Sequence, residues 1–528
     1  MKASDLIVRC LEAEGVEYIF GLPGEENIDL MDSLSRSSIK FVLTRHEQGA
    51  AFMADVYGRL TGKPGVCLAT LGPGATNLIT GIANAHLDYS PVIAITGQAD
   101  CTRLHKESHQ NIDTIQLFEG ITKYNQQIVS ANTIPEIIRK AFDLATTESF
   151  GAVHLQLPVD VAKDEVNASP LPIAKHTKSY PNRSSLQKAA DLIMSAERPI
   201  ILAGNGVIRN NAWKEVRNFV EKVDLPLVNT FMAKGILPYE HLNNLFTIGG
   251  RPYKDGLLPL EKADLVIAIG FDLVEYDPVM WNKDQSRKVL NIHTIQAETD
   301  AHFPVELDLV GDLSNTLKAL LELVSRRTEP LEHNQIRSRR VKELQTIPST
   351  DQELPRKVMW TLSEKLPKES IVISDVGLHK VWVSRWYQPK EPGQTIIYNG
   401  LASMGASLPG ALASRLAKPN SPVVVISGDG GFLMNSQELE TARRLGLDFT
   451  VIIFNDQSYS LIEKHQRAAN LAVTQVSFTN PDFNLYAQSF GIAYRCATNI
   501  EEFSQALSEA VDSKKLNLLE VIIRKEQV

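Results

Sequence analysis

The chain has 528 residues, enough for three or four separately cored domains, and with 43% hydrophobic and 22% charged residues it is neither a disulfide-stapled miniprotein nor a disordered or fibrous chain. Lysine and arginine number 54 against 62 aspartates and glutamates, a net charge of −8, so no basic face is offered to nucleic acid or to an acidic membrane surface. The cysteines, Cys10, Cys67, Cys101 and Cys496, stand far apart without a CxxC pair, which argues against a disulfide framework or a zinc knuckle and for a reducing, cytoplasmic setting.

The first residues carry Asp5, Glu12 and Glu14 where a secretory signal needs an apolar run, and no uncharged apolar stretch approaches the ~18 residues of a membrane span. Further along, short apolar runs that stop at Gly, Pro or Asp recur at 66–70, 91–96, 152–157, 199–203, 265–269, 371–374, 422–427, 449–454 and 518–523. Such runs read as strands buried on both faces of parallel sheets. Segments 185–195, 435–445 and 500–511 lie between them with helical spacing and polar faces. The predicted class is α/β, with mostly parallel sheets flanked by helices. Residues 163–185, rich in Pro, Asn, Ser and Lys, and the charged stretch 325–355 read as linkers. They divide the chain into domains at 1–165, 185–328 and 352–528, and the Arg337–Arg340 cluster reads as part of a solvent-facing helix.

The densest chemistry lies in residues 421–465. The run ending at Ser427 leads into a turn, Gly428–Asp429–Gly430–Gly431, and Asn435 with Glu438 reads as an N-cap and capping box opening a helix that ends near Gly446. A second strand ends at Asn455–Asp456. In such a βαβ unit Asp429 and Asp456 lie beyond the carboxyl ends of neighbouring parallel strands, where open α/β sheets bind ligands. Two carboxylates beside glycines repel a phosphate unless a divalent cation lies between, and Mg2+ is the hard ion that one or two carboxylates and substrate phosphates satisfy. Taken singly, the glycines also read as an ordinary tight turn and Asp456 as a surface loop residue. In the N-terminal third, Glu47 precedes Ala50, Ala51, Ala54 and Gly58, small enough for close packing against a sheet; a plain salt bridge with Arg45 or Arg59 is the competing reading.

The spacing of these pieces resembles a known family. Gly428–Asp429–Gly430, then 24 residues, then Asn455–Asp456, is similar to the diphosphate signature of thiamine diphosphate enzymes. The resemblance implies that Asp429, Asp456 and the Ser458 carbonyl hold Mg2+, with Asp456 standing where asparagine is usual, and that Gly428, Gly430, Gly431, Tyr459 and Ser460 adjoin the diphosphate. Residues 375–379 resemble the second diphosphate loop, in which the amides of Val376, Gly377 and Leu378, together with His379, meet the phosphates. Residues 398–409, YNGLASMGASLP, resemble the loop beneath the cofactor, with Met404 wedged between its two rings and Gly400 and Ala402 beside it; on its own Met404 is core filler. RHEQGAAFMAD at 45–55 resembles the segment of the catalytic glutamate in the acetolactate synthase branch, which implies that Glu47 hydrogen-bonds N1′ of the aminopyrimidine. LGPGATN at 71–77 resembles the loop that follows, bringing Gly72 and Asn77, with Pro23, to the ring; Leu71 replaces a common serine.

Three further segments, His109–Gln110 ahead of Asp113, 271–282 and 458–466, resemble the catabolic, flavin-free acetolactate synthases. They imply a carboligase that decarboxylates pyruvate and joins the remaining two carbons to a second pyruvate, giving 2-acetolactate and CO2, with Gln110 and His109 near the acceptor. In the middle domain Gly204–Asn205–Gly206 follows a strand, but Arg209 replaces the third glycine of GxGxxG and Phe271–Asp272–Leu273–Val274 stands where the flavin-binding relatives read FDDR. FAD is therefore not expected, and the domain reads as a spacer. The end at Val528, soon after the last strand, leaves little room for a C-terminal lid. The resemblance also implies a homodimer or dimer of dimers, with Glu47 and Asp429 of one site coming from different chains. Another thiamine diphosphate-dependent 2-keto acid decarboxylase or carboligase, a flavin-dependent pyruvate oxidase and a non-catalytic homologue are the alternatives.

Overall fold

In the third domain, the apolar run Val423–Ser427 hydrogen-bonds on one side to the run beginning at Ile371 and on the other to that beginning at Thr450, and this pattern is repeated along the chain. The computed structural model describes residues 1–174, 177–249, 254–327, 333–345 and 353–527, leaving aside the side chains of 254–256 and 526. Strands β1 (Tyr18–Gly21), β2 (Lys40–Leu43), β3 (Gly65–Ala69), β4 (Val92–Gln98), β5 (Tyr124–Gln127) and β6 (Ala152–Pro158) form a sheet in the order β2-β1-β3-β4-β6-β5. Strands β7 (Pro199–Ala203), β8 (Leu227–Asn229), β9 (Asn244–Thr247), β10 (Leu265–Ile269), β11 (Lys288–His293) and β12 (Val305–Val310) form a second, β12-β11-β10-β7-β8-β9. The third contains β13 (Ile371–Ser374), β14 (Thr395–Ile397), β15 (Val423–Gly428), β16 (Thr450–Asn455), β17 (Ala493–Ala497) and β18 (Asn517–Ile522), ordered β14-β13-β15-β16-β18-β17. All ladders joining these strands are parallel, as β-branched strands covered by helices on both faces require.

The outer two sheets share one strand order, and the middle one, read from β9, has the 3-2-1-4-5-6 order of dinucleotide-binding folds. Each sheet has a switch point where successive connections leave in opposite directions: between β1 and β3, between β7 and β10, and between β13 and β15. The loops at these points carry most of the residues singled out above.

The first linker holds no regular element between Val166 and Asn182 among the described residues, and residues 175 and 176 lie outside them. The second differs from its reading. Part of it, 328–332 and 346–352, lies outside the described residues, as do the predicted boundaries at 328 and 352, and the helix His333–Gln345 is only partly solvent-facing: Ser338 and Arg339 are exposed, but Ile336, Arg340 and Leu344 are buried. Arg340 is 2% exposed and pairs with Glu343, while Arg337 donates to the carbonyls of Tyr239 and His241. The charge run docks because its guanidinium groups satisfy backbone carbonyls of the middle domain that a neutral side chain would leave bare.

The helix Glu47–Thr61 joins the outer domains within one chain. Its small residues serve a helix as well as the sheet: a Cβ built on Gly81, in the helix Gly72–Leu87, would fall 2.4 Å from Ala51 Cβ. Phe52 and Val56 share one buried apolar cluster with Tyr398, Leu408 and Leu412 of the third domain. Arg59, on the same helix, bonds Asp55 at 2.6 Å and Asp88 at 2.8 Å, and Asp88 in turn accepts from Gly400 N at 2.6 Å. The four cysteines are free. No described helix is long and apolar enough to cross a membrane.

Candidate active site

Beyond the carboxyl ends of β13 and β15, a cavity of about 130 Å³ opens at the switch point of the third sheet. It brings together Val376, Gly377, Leu378 and His379 from one loop, Gly428, Asp429, Gly430 and Gly431 from the next, and Met404 from the loop after β14. Asp456, Ser458, Tyr459 and Ser460, which follow β16, close its far side.

The local structure departs from the reading of a turn and one capped helix. Gly428 is the N-cap of a short helix, Asp429–Asn435, and a second helix, Glu438–Arg444, begins three residues later. Asn435 ends the first helix instead of capping the second, because its amide is used tertiarily: Nδ2 donates to Gln48 Oε1 at 3.0 Å and to Gly405 O at 2.9 Å. Glu438 likewise caps no helix but accepts Arg45 N and His46 N, at 3.0 and 3.1 Å, across the domain boundary.

Asp429 Oδ2 accepts Gln457 N at 2.8 Å and Asn480 Nδ2 at 2.7 Å, and Oδ1 accepts Gly430 N at 2.9 Å. Asp456 accepts Ser458 N at 3.2 Å and the Ser460 hydroxyl. Burial, with the charge of Asp429 added, pushes the Asp456 carboxyl up to about 6. The lining holds these two carboxylates and no lysine or arginine, so a diphosphate placed here needs a divalent cation to offset them. Among the described residues no group of three or more His, Cys, Asp and Glu side chains gathers as a closed metal site. An open pair of carboxylates suits Mg2+, which keeps water and phosphate ligands of its own.

Two further observations fit an anion. Burial holds His379 neutral, with its pKa pushed down to about 3, and its Nε2 has no partner among the described residues. The helix Leu378–Trp386 opens on Gly377, with no side chain capping its first amides. A Cβ on Gly430 would fall 2.7 Å from the Tyr459 ring, so a larger residue there would displace that side chain.

The first sheet presents a second cluster at its own switch point. Glu47 heads its helix, with His46 as N-cap, and its Oε2 accepts Asn77 Nδ2 at 2.9 Å. This settles the salt-bridge alternative for Arg59, which is taken by Asp55 and Asp88. Gly74 packs closely here: a Cβ at that position would fall 2.9 Å from Thr70 Cγ2 and 3.4 Å from Glu47 Oε1. Gly72, at φ +39°, lies against Gln110, whose carbonyl oxygen would be 2.4 Å from a Cβ at that position. Gln110 and His109 are exposed on the turn before Asp113, Pro23 is exposed after β1, and Leu71 is fully buried.

Not every residue singled out reaches the third-domain cavity. Glu47, Asn77, Gly72, Pro23, Gln110 and His109 do not line it, and neither do Gly400 and Ala402, the former held by Asp88 through its amide.

Asp375, placed by its sequence in the second diphosphate loop without a role of its own, is the buried hub of the site. Fully buried, it accepts Val376 N at 2.7 Å, Gly405 N at 3.0 Å and the Ser407 and Ser427 hydroxyls at 3.1 Å, tying all three loops together. Burial raises its carboxyl to about 6, against about 3.9 for an unfolded aspartate. Folding therefore binds a proton here: the group's stabilisation is full below about pH 4 and is lost as pH rises through about 6. Urea denaturation at pH 5 and 7.5 is expected to show wild type gaining stability relative to Asp375→Asn at the lower pH. Identical pH dependence in the two proteins would show that the carboxyl titrates normally.

At the middle switch point a carboxyl of the chain itself fills the crevice. Asn205 N donates to both Glu275 oxygens at 2.9 Å, and Asp272 N and the Thr230 hydroxyl add two more donors. Burial first, then the charge of Asp272, pushes the Glu275 carboxyl upward. Arg209, only 6% exposed, is held between Glu148 and Asp272.

Residues 1–117 match the family described as thiamine pyrophosphate enzyme, N-terminal TPP binding domain; residues 186–320 match the central domain and 375–521 the C-terminal TPP binding domain of the same enzymes. The chain is 33% identical to an acetolactate synthase of Bacillus subtilis over 528 residues, covering 98% of this chain and 93% of that one. It is 36% identical to a probable acetolactate synthase large subunit of Methanocaldococcus jannaschii, covering 99% and 92%. With a catabolic acetolactate synthase of Raoultella terrigena the identity is 31%, covering 96% and 92%.

Proposed function

The chain belongs to the thiamine pyrophosphate enzymes, close to the acetolactate synthases, and from that premise we propose that it is a carboligase that converts two pyruvates and one proton into 2-acetolactate and CO2. The observation that carries this reading is the presence in one chain of both half-sites, the Asp429–Asp456 cleft and the Glu47–Asn77 cluster.

Bound thiamine diphosphate supplies the electron sink that lets a 2-keto acid lose CO2. The chain's residues bind, orient and move protons around it. Asp429, Asp456 and the Ser458 carbonyl would hold Mg2+, and the glycines at 428, 430 and 431 would leave room for the phosphates. His379, kept neutral by burial, donates from one ring nitrogen. Met404, which lines the same cleft, would lie under the rings. Asn77 fixes Glu47 through Oε2, which leaves Oε1 to hold the proton exchanged with the pyrimidine nitrogen. Gln110, held against Gly72, and His109 approach the second pyruvate.

The middle domain works without flavin in this reading. The Glu275 carboxyl takes the Asn205 amide at the crevice where dinucleotide folds bind pyrophosphate, so a donor that a pyrophosphate would use is already occupied. The purified protein is expected to be colourless, and flavin absorption would favour the pyruvate oxidase alternative. The working unit is a homodimer or a dimer of dimers in a cytoplasmic setting, and an isolated monomer is expected to be inactive.

The reaction is tested by counting. Apoprotein given thiamine diphosphate, Mg2+ and pyruvate is expected to consume two pyruvates for each CO2 released and to accumulate acetolactate. One pyruvate per CO2, with acetaldehyde as product, would show a simple decarboxylase instead.

A further inference from the structure

Asp429 is held from outside its own loop by a side chain that no motif marks. Asn480 lies on the irregular segment before the helix Phe483–Ser489, whose N-cap Asp482 accepts from Asn484 N and Leu485 N and so pins the backbone two residues away. Its Nδ2 donates to Asp429 Oδ2 at 2.7 Å and to Asn455 Oδ1 at 2.9 Å. Asn455 Nδ2 donates to Glu520 Oε1 at 2.5 Å, Glu520 is 6% exposed, and its other oxygen accepts the Tyr494 hydroxyl. A continuous hydrogen-bonded line thus runs from Tyr494 on β17, through Glu520 on β18, Asn455 at the end of β16 and Asn480, to Asp429.

We propose that Asn480 is the positioning residue that sets the rotation of the Asp429 carboxylate for the cation, braced by Asn455, Glu520 and Tyr494. This rests on the reading of Asp429 as a magnesium ligand. Each carboxylate oxygen has about two acceptor sites. Asn480 and Gln457 N fill both on Oδ2, while Gly430 N takes one on Oδ1, which leaves Oδ1 the freer oxygen. Outer partners that orient a ligand in this way commonly contribute 10-fold to 100-fold, roughly, in metal affinity. Local stability alone is a poor reason for an asparagine here, because its Oδ1 is buried without a partner among the described residues and that carries a cost.

The test uses Mn2+ as the probe, titrated by electron paramagnetic resonance into the full chain with thiamine diphosphate present. Asn480→Leu, with Asn480→Ser as a second variant should the first fold poorly, is expected to weaken Mn2+ binding by ~10–100-fold. Metal-free thermal stability is expected to stay near wild type, and saturating Mg2+ to restore kcat, placing the defect in the metal requirement. Unchanged Mn2+ affinity in both variants, or lost stability with unchanged affinity, overturns the proposal. Asp429→Ala separates the two layers. If it abolishes Mn2+ binding while the Asn480 variants bind normally, only this inference falls; if it binds Mn2+ like wild type, the reading of Asp429 as a ligand fails first.

Discussion

Glu47→Gln is expected to keep thiamine diphosphate bound while slowing exchange of its C2 proton by ~10²–10⁴-fold, the range that a positioned acid–base group contributes. Glutamine preserves the structure around it, since its carbonyl oxygen still accepts from Asn77, whose Nδ2 lies 2.9 Å from Glu47 Oε2. What is lost is the ability to take and give a proton at Oε1. The measurement is deuterium exchange followed by NMR on the bound cofactor. Exchange at the wild-type rate would remove Glu47 from the mechanism, while loss of cofactor binding would make its role structural.

Asp429→Ala is expected to have the larger effect on assembly. It removes one of the two carboxylates that line the cleft among the described residues and strands three donors, Gln457 N, Gly430 N and Asn480 Nδ2. Because removing a ligand costs more than removing an outer partner, Mg2+-dependent cofactor binding should fall by more than ~100-fold. Asp456→Asn is the contrasting control: it keeps an oxygen donor and removes a charge that burial and, after it, the Asp429 charge both disfavour, so it should retain Mg2+ and cofactor. Calorimetric titration with thiamine diphosphate, with and without Mg2+, checks both. Equal binding by wild type and Asp429→Ala would contradict the metal site.

The legibility of fold and site follows from what each residue touches. Central strands such as β7, β10 and β13 are continuous apolar runs and stand out in the sequence, whereas the edge strand β5, Tyr-Asn-Gln-Gln, is half exposed and reads as a loop. The loops after β13, β15 and β16 were readable because each is a contiguous motif at the end of a strand, and the switch point of the sheet gathers them. The roles of Asp375 and Asn480 escaped because their partners are distant in sequence, 30 residues to Gly405 and 51 to Asp429. Arg340 escaped because a run of charge signals surface until a middle-domain carbonyl, that of Thr247, is found to accept from it. The expected capping pair at Asn435 and Glu438 failed for a similar reason, since both side chains serve the neighbouring domain.

The central claim is that one chain carries two half-sites that complete each other only across a subunit boundary. The direct measurement is complementation: Glu47→Gln chains and Asp429→Ala chains, each inactive alone, are unfolded, mixed, refolded and assayed for acetolactate. A mixed dimer then holds one site with both residues intact, so activity should return in the mixture. If the mixture stays as inactive as its components while a wild-type control refolds fully, Glu47 and Asp429 of a working site belong to the same chain and the account is wrong.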